Sequence, residues 1–238
     1  IISAAPTFLA MMDYAKQWGA KVQWVPVDES KGYDLEEVEK RVNPSTKLVF
    51  LCNPNNPTGT LIEKQKLIDF CETVSQKTIV FSDEAYYDFI EDADYPSMDQ
   101  LVREGKDVIV SKTFSKVYGL AGTRIGYLIA KPSIAAMIRK NLVAMSNVLA
   151  IAAAEEALKD DEFYAFSLQK TKAAKKKIYE VLNYLNLDYV PSHTNFVFFH
   201  SKRDIRELGE QMLAEGVRIG RPFPPLTDWC RISTGTEE

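Results

Sequence analysis

Three short apolar runs limit what this chain can fold into: 48–52 (LVFLC), 78–82 (TIVFS) and 108–111 (VIVS). Each has the length and the β-branched or aromatic content of a buried strand, and none is long enough for a buried helix. The neighbouring stretches carry helical spacing instead, most clearly 35–42 and 64–73. Strands separated by helical crossovers become parallel neighbours rather than hairpins. The expected fold is therefore α/β, with a mostly parallel, doubly wound sheet.

The rest of the chain extends this pattern and then departs from it. Residues 1–3 read as a strand entering the Pro6-Thr7-Phe8 turn, 9–18 as a helix closed by Gly19, and 21–27 as an alternating strand. Residues 127–130 read as another strand. After Lys131-Pro132 come helical segments at 133–145, 149–158 and 162–185, an aromatic strand at 195–200, an amphipathic helix at 205–215 and a last strand at 231–233. The expected division is a large domain over 1–135, followed over 136–238 by interdomain helices and a small α+β C-terminal domain. Lys170, Lys172, Lys175, Lys176 and Lys177 are expected on a solvated face of the long helix. The chain starts inside a strand pattern and without methionine, so the N-terminal part of a longer protein is expected to precede Ile1.

Composition narrows the functional classes. A formal net charge of -4 gives no reason to expect nucleic acid or an anionic membrane as partner. No apolar run reaches the length of a bilayer span. Cys52, Cys71 and Cys230 are odd in number and lack metal-ligand spacing, so they read as buried free thiols of a reducing, cytoplasmic compartment. The two histidines, His193 and His200, leave little for a histidine metal site or a Ser-His-Asp triad.

Polar clusters follow each of the three apolar runs. Asn56 lies in the turn after 48–52, Asp83 and Tyr86 follow 78–82, and Lys116 follows 108–111. In a parallel sheet these ends share one edge, so the clusters converge on one crevice. Lys116 sits among apolar and hydroxyl residues, a setting that eases loss of its proton and attack on a carbonyl. Arg124, between that loop and the strand at 127–130, suits an anion such as phosphate. Taken singly, each has a plainer reading: Asn56 as a turn former, Asp83 as a helix N-cap, Tyr86 as core and Lys116 as a surface lysine.

Taken together, NPNNPTG at 53–59, DEAY at 83–86 and TFSKVYGLAGTRIGY at 113–127 resemble the fold-type I pyridoxal-phosphate aminotransferases. The likeness covers essentially the whole chain. It points to the histidinol-phosphate aminotransferase branch, with SK-x-x-x-LAG-x-R-x-G and, at 231–236, RI-x-x-GT. The resemblance implies an aspartate aminotransferase-like fold, pyridoxal 5'-phosphate as cofactor, and a homodimer with its active site at the subunit interface. It implies Lys116 as the lysine that bonds to the cofactor aldehyde and shuttles a proton. Asp83 would pair with the pyridine nitrogen, and Tyr86 and Asn56 with the ring oxygen. Thr113, Ser115 and Arg124 would hold the phosphate, and Phe8, otherwise a core aromatic, would stack on the ring.

Arg231, otherwise a surface ion-pair residue, matches the arginine that grips a substrate carboxylate, and Asn195 matches a pocket-lining position. Arg221 lies near the segment that receives a distal anion, although GRPFPP at 220–225 departs from the usual text and leaves the substrate open. The relatives' glycine/serine-rich phosphate turn and partner-reaching tyrosine arm have no counterpart in these residues. The implied reaction is transamination between an amino acid or amino-alcohol phosphate and 2-oxoglutarate, of the histidinol-phosphate type. An aromatic or broad-range aminotransferase, or a decarboxylase of the same fold, is the alternative within the family. A non-catalytic fragment is the alternative outside it. A nucleotide-binding Rossmann protein is disfavoured because no G-x-G-x-x-G follows the first strand.

Overall fold

The apolar runs pair side by side in the computed structural model, which describes residues 1–235. The main sheet contains β1 (Ile2–Ala5), β2 (Gln23–Pro26), β3 (Leu48–Cys52), β4 (Ile79–Asp83), β5 (Val108–Thr113) and β6 (Gly126–Ala130), in the order β2-β1-β3-β4-β5-β6. β1 to β5 are parallel, and β6 runs antiparallel to β5. Side chains alternate between the faces, as the pleat requires. Val49, Leu51, Val80, Val108 and Val110 pack toward α2 (Leu35–Lys40), α3 (Lys64–Val74) and α4 (Asp99–Arg103). Phe50 and Cys52 pack on the other face with Met12 of α1 (Ala10–Gln17).

Three helices, α5 (Pro132–Lys140), α6 (Val148–Ala157) and α7 (Asp161–Tyr184), lead to a second, antiparallel sheet. Its strands are β7 (Tyr189–Val190), β8 (Phe196–His200) and β9 (Trp229–Ser233), with α8 (Ile205–Ala214) between β8 and β9. Val197 and Phe199 of β8 pack against Leu182 of α7 and Ile205 of α8. Phe196 faces the other way and joins Tyr86, Phe89 and Val117 from the main-sheet loops. Its ring meets Tyr86 edge-on at 5.2 Å, which fastens the second sheet to the first.

Several expectations need correction. The helix expected over 133–145 stops at Lys140, because the Asn141 side chain donates to the Met137 carbonyl and closes the last turn. Asn147 then caps α6 by accepting from the Leu149 amide. The lysines of α7 do not all lie on a solvated face: Lys175 is buried, with its Nζ donating to the Ser192 carbonyl at 2.8 Å. Asp83 is the last residue of β4 and does not cap a helix. The short elements α4 and β7 have no expectation to match. Among the described residues, the three cysteines are buried and unbridged, and no helix is long and apolar enough to cross a membrane.

One buried ion pair braces the sheet edge. Glu84 is 3% exposed, and it accepts from the Met98 amide at 2.8 Å, from Ser97 Oγ at 2.7 Å and from Lys112 Nζ at 2.9 Å. Removing one partner leaves the other charge desolvated without compensation. Glu84→Ala is expected to cost about 3–5 kcal/mol of stability, read from chemical denaturation. An unchanged midpoint would show that the pair adds nothing.

Candidate functional site

The carboxyl ends of β1, β3, β4 and β5 open into one cavity of about 550 Å³. β1 pairs with β2 on one side and β3 on the other, so this is also where the strand order switches direction. Phe8, Asn56, Asp83, Tyr86, Thr113, Ser115, Lys116, Arg124, Arg221 and Arg231 all line it. Asn195 does not. It follows the buried Thr194, and its carbonyl accepts from the Thr234 amide and hydroxyl, both at 2.9 Å. Thr236, which completes the RI-x-x-GT pattern, lies outside the described residues. A larger cleft of about 800 Å³, between α7 and residues 89–92, contains none of these groups.

The NPNNPTG turn is held from within. Thr7 Oγ1 donates to Asn55 Oδ1 at 2.8 Å, and Asn55 Nδ2 donates to the Pro6 carbonyl at 3.1 Å and to Thr58 Oγ1 at 2.9 Å. Gly59 closes the turn at φ +74°, where a Cβ would come within 2.8 Å of Ser192 Oγ. Asn55 thereby ties the turn to the β1 loop and leaves Asn56 free to face the cavity. Asn56 Oδ1 accepts from Arg231 Nη1 at 2.6 Å, a contact that spans the two sheets. The Arg231 guanidinium also lies 4.9 Å from the Phe196 ring centroid and 5.3 Å from that of Phe223. Arg221 covers Phe223 at 4.6 Å.

Asp83 carries two hydrogen bonds on the same oxygen. Oδ1 accepts from Ser111 Oγ at 2.9 Å and from the Ala85 amide at 3.2 Å. Burial pushes its carboxyl above the usual range, and these two donors oppose the rise. Burial also raises the Tyr86 phenol. Lys116 Nζ lies 5.0 Å from the Tyr86 ring centroid. Its pKa falls below the ordinary lysine value, first through burial and then through the positive charge of Arg231. Arg124 adopts the left-handed conformation, φ 55°, with Nη1 donating to the Ala121 carbonyl at 2.8 Å. Thr113 Oγ1 accepts from the Ser115 amide at 3.1 Å, which shapes the loop that carries Lys116.

The family model of the aminotransferase class I and II group matches residues 1–238. The chain belongs to this family. It is 36% identical to the histidinol-phosphate aminotransferase of Bacillus cytotoxicus, over all of this chain and 65% of that protein. It is 38% identical to the corresponding protein of Moorella thermoacetica, over 99% of this chain and 62% of that one. The solved histidinol-phosphate aminotransferase of Sinorhizobium meliloti, in complex with pyridoxal-5'-phosphate, superposes with a TM-score of 0.91 at 28% identity, covering all of this chain and 66% of that one. This family member thus spans a little under two thirds of the curated relatives it matches. Its mostly parallel main sheet with one antiparallel edge is the architecture of the pyridoxal-phosphate aminotransferases.

The sequence does not place Thr7, Cys52, Ser111 and Lys112 at the site, yet they line the same cavity. Thr7 adjoins Phe8, and Ser111 lies two positions before Thr113 on β5, so the strand register brings both to the cavity. Phe223 belongs to the GRPFPP segment whose departure from the usual text left the substrate open, and it lines the cavity beside Arg221. The charge balance around Lys116 is open to test in cofactor-free protein. Arg231→Met removes a neighbouring positive charge and is expected to move the midpoint of Lys116 acylation to higher pH. Asp83→Asn removes a negative charge and is expected to move it lower. Peptide mass spectrometry across a pH series reads both, and identical midpoints in all three proteins would contradict the coupling.

Proposed function

We propose that this chain carries the catalytic centre of a pyridoxal-phosphate-dependent aminotransferase acting on histidinol phosphate or a closely related amino donor, with 2-oxoglutarate as acceptor. One observation carries the reading: an amine, a carboxylate, an amide, a phenol, hydroxyls and a guanidinium line a single cavity in a member of this family. The donor set fits the cofactor. Asp83 has Oδ2 free of hydrogen bonds among the described residues, which suits a ring nitrogen. Lys116 is held toward its neutral, nucleophilic form. Thr113, Ser115 and Arg124 offer hydroxyls and a cation for a phosphate.

When bound, the cofactor supplies an aldehyde that captures amines and a ring that withdraws electrons from the amine's α-carbon. The protein residues do the rest. Asp83 keeps a proton on the ring nitrogen. Tyr86 and Asn56 face the ring oxygen. Phe8, exposed and lining the cavity, would stack on the ring. Lys116 Nζ takes and returns the proton at the substrate carbon, and the charge of Arg231 favours the neutral amine that this step needs. Arg231, oriented by Asn56, grips a carboxylate or phosphate of the substrate. Arg221 receives the distal anionic group, whereas Asn195 lies outside the cavity and holds the residue after β9 through its carbonyl bonds to Thr234. The division into a large domain over 1–135 and interdomain helices with a small domain over 136–238 belongs to this reading, supported by the two separate sheets. So do a homodimer and a cytoplasmic location, the latter supported by three free thiols.

The purified protein incubated with pyridoxal phosphate is expected to turn yellow, and borohydride is expected to fix the cofactor to Lys116. A protein that stays colourless and unlabelled would overturn the cofactor assignment. Lys116→Ala is expected to fold normally and to lose turnover by several orders of magnitude, measured with a panel of amino donors and 2-oxoglutarate. Arg231→Ala is expected to weaken transition-state binding by about 2–5 kcal/mol, read from kcat/KM. Equal kcat/KM in the two proteins would remove Arg231 from the substrate site.

A further inference from the structure

Ser111 stands directly opposite Asp83 in the parallel pair β4–β5. Its backbone has little freedom. The Ser111 carbonyl accepts from the Glu84 amide at 3.0 Å, and on its other side Ser111 pairs with Leu128 of β6. The backbone of Asp83 is also fixed, its carbonyl accepting from the Asn53 amide at 2.9 Å. What remains free is the torsion of the Asp83 carboxylate, which has broad intrinsic preferences. The Ser111 hydroxyl and the Ala85 amide both donate to Oδ1, at 2.9 and 3.2 Å. Two donors converging on one oxygen from rigid backbone set the plane of the group. Oδ2 is left as the oxygen with unspent acceptor capacity. Asp83, Ser111 and Lys116 all line the one cavity.

We propose that Ser111 is a positioning residue whose hydroxyl holds the Asp83 carboxylate through Oδ1, so that Oδ2 is the oxygen presented to the cofactor's ring nitrogen. This rests on the reading of the cavity as a pyridoxal-phosphate site. The hydroxyl acts on orientation and on charge together. Protein packed around Asp83 favours the neutral acid, and a donor to the carboxylate favours the ion. An apolar side chain at position 111 would leave the Ala85 amide as the single donor. The carboxylate would then turn more freely and gain a proton at higher pH. Both changes weaken its grip on a protonated ring nitrogen, and both leave Lys116 and the phosphate-facing hydroxyls in place.

Ser111→Val and Ser111→Thr, which differ from one another by little more than the hydroxyl, separate hydrogen bonding from shape. Ser111→Ala tests the same loss without added bulk. In cofactor-free protein, carboxyl carbon NMR is expected to show the Asp83 midpoint higher in the Val and Ala variants and near wild type in Thr. Absorbance titration with pyridoxal phosphate is expected to show roughly tenfold weaker binding in Val and Ala, with Thr restored. The pH below which binding fades is expected to rise in the same two variants. Unmoved Asp83 midpoints and unmoved affinities would overturn the proposal, and so would a Thr variant as weak as Val. A wild-type protein that takes up no pyridoxal phosphate would overturn the cofactor reading and this proposal together. Wild-type uptake with an unaffected Val variant would overturn this proposal alone.

Discussion

The parallel register across β3, β4 and β5 is the constraint on which the site depends. Cys52 pairs with Asp83, and Asp83 pairs with Ser111, so β3 and β4 end level with Ser111, two residues before β5 ends at Thr113. Each then releases its chain at the same edge: into the Asn56 turn, into Tyr86 and into the Lys116 loop. A slip of one residue in any pair would send the cavity-facing side chain to the opposite face. The buried apolar residues of those strands make such a slip costly, since Leu51, Val80 and Val110 would leave the core. The hydrophobic sheet is therefore what fixes the polar geometry.

The second sheet contributes through one aromatic and one arginine. Phe196 of β8 packs edge-on against Tyr86, and Arg231 of β9 crosses to Asn56. Phe198 and Arg231 are register partners in β8 and β9, and Phe196 lies on the same strand face as Phe198. Alternation on β8 thus sends Phe196 and Phe198 to the side where Tyr86 and Phe223 wait, and Val197 and Phe199 toward α7 and α8. The arginine is held between rings before any ligand arrives, which lowers the entropic cost of ordering it at binding.

This explains what the sequence could and could not reveal. The strands of the main sheet were legible because continuous β-branched runs have few other uses, and the polar residues after them followed from topology. The cluster around Lys116 was legible for the same reason. The end of α5 was not, because Asn141 terminates it with a side-chain bond to Met137 that leaves no mark on periodicity. Lys175 departs from the solvated face because a lysine on a charged helix gives no sign that the Ser192 carbonyl will accept a hydrogen bond from it. The Arg231–Asn56 bond joins residues 175 positions apart, and pairings of that range leave no local pattern. Ser111 was hidden by its own strand: a serine at the end of an apolar run reads as the fading of the strand, and only the register gives it a partner.

Charge binds these parts into one system. The whole chain carries a formal net charge of -4, yet among the described residues the cavity is lined by Lys112, Lys116, Arg124, Arg221 and Arg231 against one acid, Asp83. Lys112 is neutralised by Glu84, so the others set the local field. Such a surface draws anions into a cleft of an otherwise acidic protein. Burial first makes the Lys116 ammonium unfavourable, and the positive charge of Arg231 adds to that effect. An anion held by Arg231 would offset its charge and return proton affinity to Lys116. Occupancy of Arg231 and protonation of Lys116 would therefore be linked, in the same sense that any ligand binding is linked to a titrating neighbour. Asn56 lies at the junction of the two, since its Oδ1 fixes the arginine while its Nδ2 has no hydrogen-bond partner among the described residues.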